Sequence, residues 1–351
     1  MEVPLLRTSE RKDFRRCPWL WEQSWIHGLR PRREPTWAVF GTAWHKAMEV
    51  RYPPGIRRGS LTDTIDAFLD ALDDSIRKIG VDLEDVYDPD EEDGIAEGAT
   101  KAEVELLLAD ELGEIMLRAY ARHWGKDPDW EVIHTEQPFQ IDVHNPATGN
   151  LLVVYAGTWD MLVRHRRTGK LWLVDHKTAK VLPNPQYLEL DDQAGSYLWV
   201  AKEVLVHKGI LTKRDSIEGI VFSYAKKAPP DPRPRDAAGR TLNKDGSVSK
   251  RQPGPRFLRH TTYRPPEMQV AQAERVMQEA QIMSQMRRGD LPIYKNPTHD
   301  CPRCPLFDLC QLHEQRAPGW KDYRDELFVV KDVYADHREA MAHNGYEVKG
   351  S

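Results

Sequence analysis

The chain holds four cysteines, and three of them crowd into Cys301-Pro302-Arg303-Cys304-Pro305-Leu306-Phe307-Asp308-Leu309-Cys310. The fourth, Cys17, stands far upstream in Arg15-Arg16-Cys17-Pro18-Trp19. A C-x2-C-x5-C run is too tight for three ordinary core thiols and is one ligand short of four, which Cys17 supplies. Sets of four cysteines hold either zinc or an iron–sulfur cluster. Either would tie the first residues of the fold to the last. Disulfides are the weaker alternative, because Met1-Glu2-Val3-Pro4 lacks the basic-then-apolar form of a secretory signal.

A second constellation offers oxygen and nitrogen. Asp160 lies in Gly157-Thr158-Trp159-Asp160, and Asp175 and Lys177 lie in Leu173-Val174-Asp175-His176-Lys177-Thr178. In a strand, residues two apart share a face, so Asp175 and Lys177 point the same way and His176 the opposite way. Leu171 to Val174 are all apolar, which predicts a buried strand. A carboxylate and an ammonium at the end of such a strand are costly unless paired or bound to metal. Hard oxygen ligands from Asp160 and Asp175 suit Mg2+ or Mn2+. The ion would polarise a phosphate and help ionise a water, with Lys177 orienting that water or stabilising developing charge. By itself the Asp-x-Lys pair reads more simply as a structural salt bridge. It has company. Gly41-x3-His45-x3-Glu49 places three residues on one helix face, and Gln193 and Tyr197 are spaced i, i+4 on a later helix. Each of these is weak alone.

The elements that must position these residues follow from the pattern. A helix is expected over 8–27, with Cys17 in its body or end, and another over 37–52 with Phe40, Trp44, Ala47 and Met48 as its buried stripe. Residues 53–60 break it. The stretch 61–126 is helical and acidic, with a loop at Pro89-Asp90-Glu91-Glu92-Asp93-Gly94. Strands are expected from Glu131 to Val143, Leu151 to Val163 and Lys170 to Thr178, separated by Gly-containing turns. A helix over 189–207, a strand from Gly219 to Tyr224 and a long helix over 265–288 complete a mixed α/β core. Residues 226–260 hold ten Lys and Arg against three Asp. They read as a disordered surface loop or, together with Arg15 and Arg16, as the wall of a groove for a DNA backbone. The tail from 318 on is amphipathic, with no assigned role.

At 351 residues the chain is one large domain or one domain with an insertion. The net charge of −5 describes a soluble protein and excludes nothing about nucleic acid, since local charge matters more than the total. No apolar run approaches a membrane span, so a cytoplasmic protein with reduced thiols is expected. The absence of a Walker-type glycine loop argues against an internal ATP motor. Eleven tryptophans leave aromatics to spare for stacking on bases.

Taken in order, helical His, strand Asp, strand Asp-x-Lys and helical Gln-x3-Tyr resemble the RecB-type branch of the PD-(D/E)XK nuclease superfamily. With the flanking cysteines, the resemblance is to its iron–sulfur subgroup, which includes the AddB nuclease domain and CRISPR-associated and phage-encoded exonucleases. It runs from about Cys17 to Cys310. It implies a restriction-endonuclease-like mixed sheet flanked by helices, in a single domain over 1–317. That domain would hold a helical insertion at 61–126, a basic loop at 226–260 and an iron–sulfur staple joining its ends, ahead of a tail at 318–351. It implies that His45, Asp160, Asp175 and the backbone carbonyl of His176 bind Mg2+ or Mn2+, and that Lys177 is catalytic. It implies that Gln193 and Tyr197 support the site and the DNA, and that Cys17, Cys301, Cys304 and Cys310 hold a 4Fe-4S cluster. Glu136 lies where that family often has a first-strand glutamate. The implied activity is a DNA exonuclease acting on single strands or ends in recombination, repair or phage DNA processing. A partner protein of recombination or CRISPR adaptation is implied without being identifiable. The alternative is a non-catalytic DNA-binding or scaffold protein. The chain departs from the pattern at His176, where the family usually has an aromatic or aliphatic residue.

Overall fold

Pro18 imposes the first break. The residue before a proline is pushed out of the helical region, and Cys17 is extended at φ −164°, ψ 113°. In this computed structural model, which describes residues 4–32, 36–88, 91, 94–345 and 347, a short strand β1 (Leu5–Arg7) comes first. The helix expected over 8–27 is divided into α1 (Thr8–Arg16), α2 (Pro18–Trp21) and a π turn over Glu22–Ile26. Strand β2 (Leu29–Pro31) follows, and then α3 (Thr36–Arg51). The 61–126 region contains α4 (Leu61–Ile79), α5 (Lys101–Leu107) and α6 (Ala109–Trp124). Ser60 caps α4 through its side chain, and Gly80 ends it in the left-handed conformation. Most of the loop expected at Pro89–Gly94 lies outside the described residues.

Two strands run slightly longer than the pattern implied, β3 (Trp130–His144) and β4 (Leu151–His165), and β5 (Leu171–Ala179) is shifted by one residue. Then come α7 (Asp192–His207), β6 (Ile217–Lys226), β7 (Phe257–Tyr263), α8 (Pro266–Arg288) and α9 (Phe307–Glu314). The last elements are α10 (Trp320–Leu327), β8 (Phe328–Val330) and α11 (Ala335–His343). Six strands form a mixed sheet in the order β1-β4-β5-β6-β7, with β3 also on β4, and β2 pairs with β8 separately. One edge of β4 is taken by β3 along its length. Two strands share the other edge. β1 runs parallel to Val154–Ala156, and β5 runs antiparallel to Met161–Arg164. Gly157 to Asp160 lie between them, without a ladder partner on that edge.

Helices cover both faces. Phe14, Leu198, Ala201, Val276 and Met283 pack with Leu171 and Leu173 of β5 on one side. Phe40, Trp44, Phe68 and Met116 pack with Val174 on the other. The unbroken apolar run of β5 is thus explained by burial on both faces. The result is a mixed α/β fold with a central mixed sheet. No helix among the described residues is long and apolar enough to cross a membrane.

Residues 226–260 are not a disordered loop. Their last part belongs to β7, and the rest forms local bridges at Arg235–Thr241 and Leu242–Val248. Arg233 pairs with Asp231 at 2.6 Å and Arg240 with Asp236 at 2.8 Å, which uses up charge that looked free in the sequence. Arg259 points inward. Its guanidinium lies 3.7 Å from the Trp124 ring centre and 4.0 Å from that of Trp130, and it pairs with Asp127 at 2.7 Å. The residues after 318 return to the N-terminus. The Tyr334 hydroxyl donates to the Glu10 carboxylate and lies 2.9 Å from the Leu5 carbonyl oxygen. Glu10, fully buried, also accepts from Trp21 Nε1 and Arg287 Nη2, each at 2.8 Å.

One buried cation joins three helices. Arg11 of α1 is 0 % exposed; it donates from Nε to Glu279 of α8 at 2.6 Å, from both Nη atoms to Asp192 of α7 at 3.1 Å, and to Ser196 at 3.1 Å. Removing one member of a buried ionic network leaves the others uncompensated. Arg11→Ala is expected to lower unfolding free energy by about 3–5 kcal/mol, read as a fall in the denaturant midpoint with an unchanged slope.

Candidate active site

The gap in the β4 edge is where the candidate residues meet. His176 has no β4 carbonyl to pair with, and its backbone N–H donates instead to Asp160 Oδ2 at 2.6 Å. Glu136 on β3 faces Asp160 across the other edge, where the regular register skips this pair. Glu136 sits at φ +44°, a left-handed conformation that costs a non-glycine residue about 1–3 kcal/mol and tends to occur at functional sites. α3 lies above and brings His45, whose Nδ1 is 3.4 Å from Asp160 Oδ2 and 3.9 Å from Glu136 Oε1. His45, Glu136 and Asp160 offer ligand atoms all within 4.8 Å of one another. Gly157 permits the close packing beneath: a Cβ there would stand 2.7 Å from the Phe139 ring.

Asp175 is 1 % exposed. Its Oδ1 accepts from Lys177 Nζ at 3.0 Å and from Gln193 Nε2 at 3.1 Å. Lys177 Nζ lies 2.9 Å from Oδ2, but in poor alignment, so Oδ2 is buried without a hydrogen bond. Gln193 stands in the first turn of α7, which Asp191 caps by accepting the Ala194 N–H at 2.9 Å. The Gln193 carbonyl oxygen accepts a second Lys177 hydrogen at 3.0 Å, and its amide donates to the Tyr197 hydroxyl at 3.0 Å. The i, i+4 pair thus orients the lysine rather than facing solvent. The His176 ring lies on the opposite face of the sheet, stacked on Tyr52 at 5.6 Å. Burial pushes its pKa well down, so the ring is neutral.

The electrostatics are those of a site with surplus negative charge. Burial raises Asp175 to about 6, with Asp160 adding to the effect and Lys177 opposing it. Burial likewise raises Asp160, partly offset by His45. At His45, burial is outweighed by the Asp160 and Glu136 carboxylates, and the imidazole is raised to about 9. Lys177 is also raised, its carboxylate neighbours overcoming burial. Three carboxylates thus face two cations. The donor set is hard oxygen plus one imidazole, and one buried carboxylate oxygen, Asp175 Oδ2, accepts no hydrogen bond. A divalent cation fits that set.

The groove beside this cluster, about 1250 Å³, is lined by Arg7, Lys12, Arg15 and Lys46 as well as by Asp336 and Glu339 of α11. None of residues 226–260 is among the residues lining it. Arg15 lies in the groove but shares its charge with Asp192 at 2.9 Å and Glu279 at 3.3 Å. Arg16 points elsewhere, to the Asp300 carbonyl at 2.7 Å. The part played by α11 was missed from the sequence, whose only signal was an amphipathic tail.

The cysteines lie where the ends of the domain meet. Cys17, Cys304 and Cys310 border one apolar cluster of Trp19, Leu20, Leu29, Leu306, Leu309 and Phe328. The Asn296 N–H donates to Cys17 Sγ at 3.4 Å and the Thr298 N–H to Cys301 Sγ at 3.2 Å. Burial pushes the Cys304 thiol up, as do Cys17 and Cys310; Cys310 is raised by burial and by Cys17 and Cys301. Among the described residues the thiols form no group as tight as that of His45, Glu136 and Asp160. Sulfurs around one tetrahedral zinc would lie about 3.8 Å apart, given Zn–S bonds of about 2.3 Å. The expected tetrathiolate centre is therefore not assembled at single-ion spacing.

A family model described as the PD-(D/E)XK nuclease superfamily matches residues 8–311. No curated protein matches the chain. Among solved structures, a protein of Eubacterium rectale described as "Putative exonuclease" aligns at 11 % identity, over 85 % of this chain and 87 % of that one, with a TM-score of 0.39.

The raised Asp175 makes a thermodynamic prediction. Its folded pKa lies above its unfolded value, so its stabilising contribution is full below about pH 4 and is lost as pH rises through about 6. Asp175→Asn should therefore stabilise the metal-free protein at pH 7.5, by on the order of 2 kcal/mol, and leave it unchanged near pH 4. Millimolar Mn2+ should raise the melting temperature of the unmutated chain far more than that of the variant. Thermal melts at the two pH values, with and without Mn2+, read both effects.

Proposed function

The chain belongs to the PD-(D/E)XK nuclease superfamily, and we propose that it is a divalent-metal-dependent deoxyribonuclease. It acts as an exonuclease on single strands or DNA ends, in recombination, repair or phage DNA processing. The observation that carries this reading is the meeting of Asp160, bonded to the His176 N–H between Asp175 and Lys177, with those two residues, and of Gln193 with both Asp175 and Lys177. His45, Asp160, Asp175 and the His176 carbonyl would hold Mg2+ or Mn2+. When bound, the ion supplies a polarised phosphoryl oxygen and a water of lowered pKa. The chain's own groups do the rest. Lys177 keeps its charge and has two of its three hydrogens engaged by Asp175 and Gln193, which leaves the third to meet charge that develops on the phosphate. Gln193, held by Tyr197, keeps the ammonium from swinging away. Glu136 supports the His45 side, and Arg15 offers its charge to the backbone from across the groove.

We further read the four cysteines as ligands of a 4Fe-4S cluster. The support is the C-x2-C-x5-C spacing, the meeting of both chain ends at these residues, and the N–H donors on Cys17 and Cys301 sulfur. A cluster is larger than one ion and takes its sulfurs at wider spacing, and its binding energy adds to folding. Cys304→Ser is expected to lower solubility and abolish visible absorbance. Anaerobically purified, colourless protein with stoichiometric zinc would reject iron.

Activity is tested with Mn2+ and end-labelled single- and double-stranded DNA. Asp175→Ala and Lys177→Ala should each lower turnover about a hundredfold or more while DNA binding persists, since backbone contacts lie elsewhere. Near-normal cleavage by either variant would show that the site is misassigned. Tight binding without hydrolysis by the unmutated chain would instead favour a scaffold role.

A further inference from the structure

The four most exposed large apolar side chains among the described residues are Val181 at 80 %, Tyr187 at 78 %, Leu190 at 76 % and Val330 at 76 %. Three of them lie in the one connection between β5 and α7. This connection is firmly held. Asn184 caps its short 3-10 turn, Pro185–Leu188, by accepting the Gln186 N–H at 3.1 Å. Leu188 is buried in the core. The buried Arg264 guanidinium gathers the carbonyl oxygens of Leu188, Glu189 and Asp191. His260 Nε2 lies 2.7 Å from Glu189 Oε1. A segment pinned from beneath by so many groups still turns an aromatic ring and two aliphatic side chains into solvent.

Its place in the chain narrows what that surface meets. Val181 follows Lys177 by four residues and Leu190 precedes Gln193 by three, so chain length alone keeps each within about 14 and 11 Å of those residues. Lys177 and Gln193 are hydrogen-bonded to each other at 3.0 Å and to Asp175. Asp191, the residue after Leu190, lines the groove, so the nucleotides next to a phosphodiester held at Asp160 and Asp175 come within reach of this surface. Paired bases hide their faces in the stack, whereas unpaired bases offer flat apolar faces to aromatic and aliphatic side chains.

We propose that Tyr187 and Leu190, with Val181 beside them, form a stacking platform for the unpaired bases flanking the scissile phosphate. This makes single-stranded nucleic acid the preferred substrate, and it rests on the nuclease reading of the site. Base stacking tolerates any sequence, so the platform confers strand-state preference without base preference.

The test compares binding of oligo(dT) and of an abasic oligodeoxynucleotide of equal length, measured on the non-cleaving Asp175→Asn protein with and without Tyr187→Ser and Leu190→Ser together. The platform predicts that the added substitutions weaken oligo(dT) binding about tenfold and leave the abasic strand unaffected. Both residues are exposed, so the melting temperature should not change. Equal loss for both strands overturns the platform. So does no loss for either, which leaves the surface to a protein occupant. Cleavage by the unmutated chain separates the two levels. If it degrades oligo(dT) while the substitutions leave binding intact, only the platform fails. If it neither binds nor degrades any DNA, the nuclease reading fails and the platform with it.

Discussion

The site depends on the fact that one edge of β4 cannot pair with two strands over the same residues. β1 takes Val154–Ala156 in parallel and β5 takes Met161–Arg164 antiparallel, and the two diverge over Gly157–Asp160. A strand edge left open carries unpaired backbone groups. Here one of them, the His176 N–H, is satisfied by the Asp160 carboxylate. That bond fixes the carboxylate beside the end of β5, where Asp175 and Lys177 emerge on the same face. The mouth between the diverging strands then becomes the groove, with the start of α1 on one side and α7 on the other.

Such a mouth stays open only if the elements around it are braced from outside. Arg11 ties α1 to α7 through the half-buried Asp192 and to α8 through the buried Glu279. Glu10, one residue earlier, ties α1 to Trp21, to Arg287 of α8 and to Tyr334 ahead of α11. Adjacent side chains of one short helix thus reach in opposite directions, into the core under the groove and toward the returning C-terminus. The pairing of β2 with β8 and the apolar cluster around the cysteines make the same closure a second and third time. A chain end fixed at several points can carry a groove wall, and α11 does so.

The charge balance of the site opposes its stability and suits its chemistry. Asp160, Asp175 and Glu136 outnumber Lys177 and His45, and burial raises Asp160 and Asp175 toward protonation. Buried surplus charge is tolerated where function needs it. The left-handed Glu136 adds backbone strain at the same spot. Nearby, Arg11 and Arg259 are each matched to carboxylates, so the surplus of negative charge is confined to the site.

Local spacing alone determined a good deal. The two-residue period put Asp175 and Lys177 on one face and His176 on the other, and the structure has that arrangement. The apolar run of β5, the acidic helices of 61–126 and the long helix α8 were legible because each holds a regular period over many residues. Strands β1, β2 and β8 were not, since three residues show no period. β7 was hidden by the basic, proline-rich stretch before it. The inward turn of Arg259 was also invisible, because its partners Trp124, Asp127 and Trp130 are remote in sequence. Only the tertiary structure decided which distant groups meet: His45 with Asp160, Gln193 with Lys177, the C-terminal helix with the groove. It also set the cysteine sulfurs at wider than single-ion spacing. The physical reason is that a side chain's face follows from the backbone period next to it. Its partner follows from strand register and from where two strands part, and those are settled by packing across the whole chain.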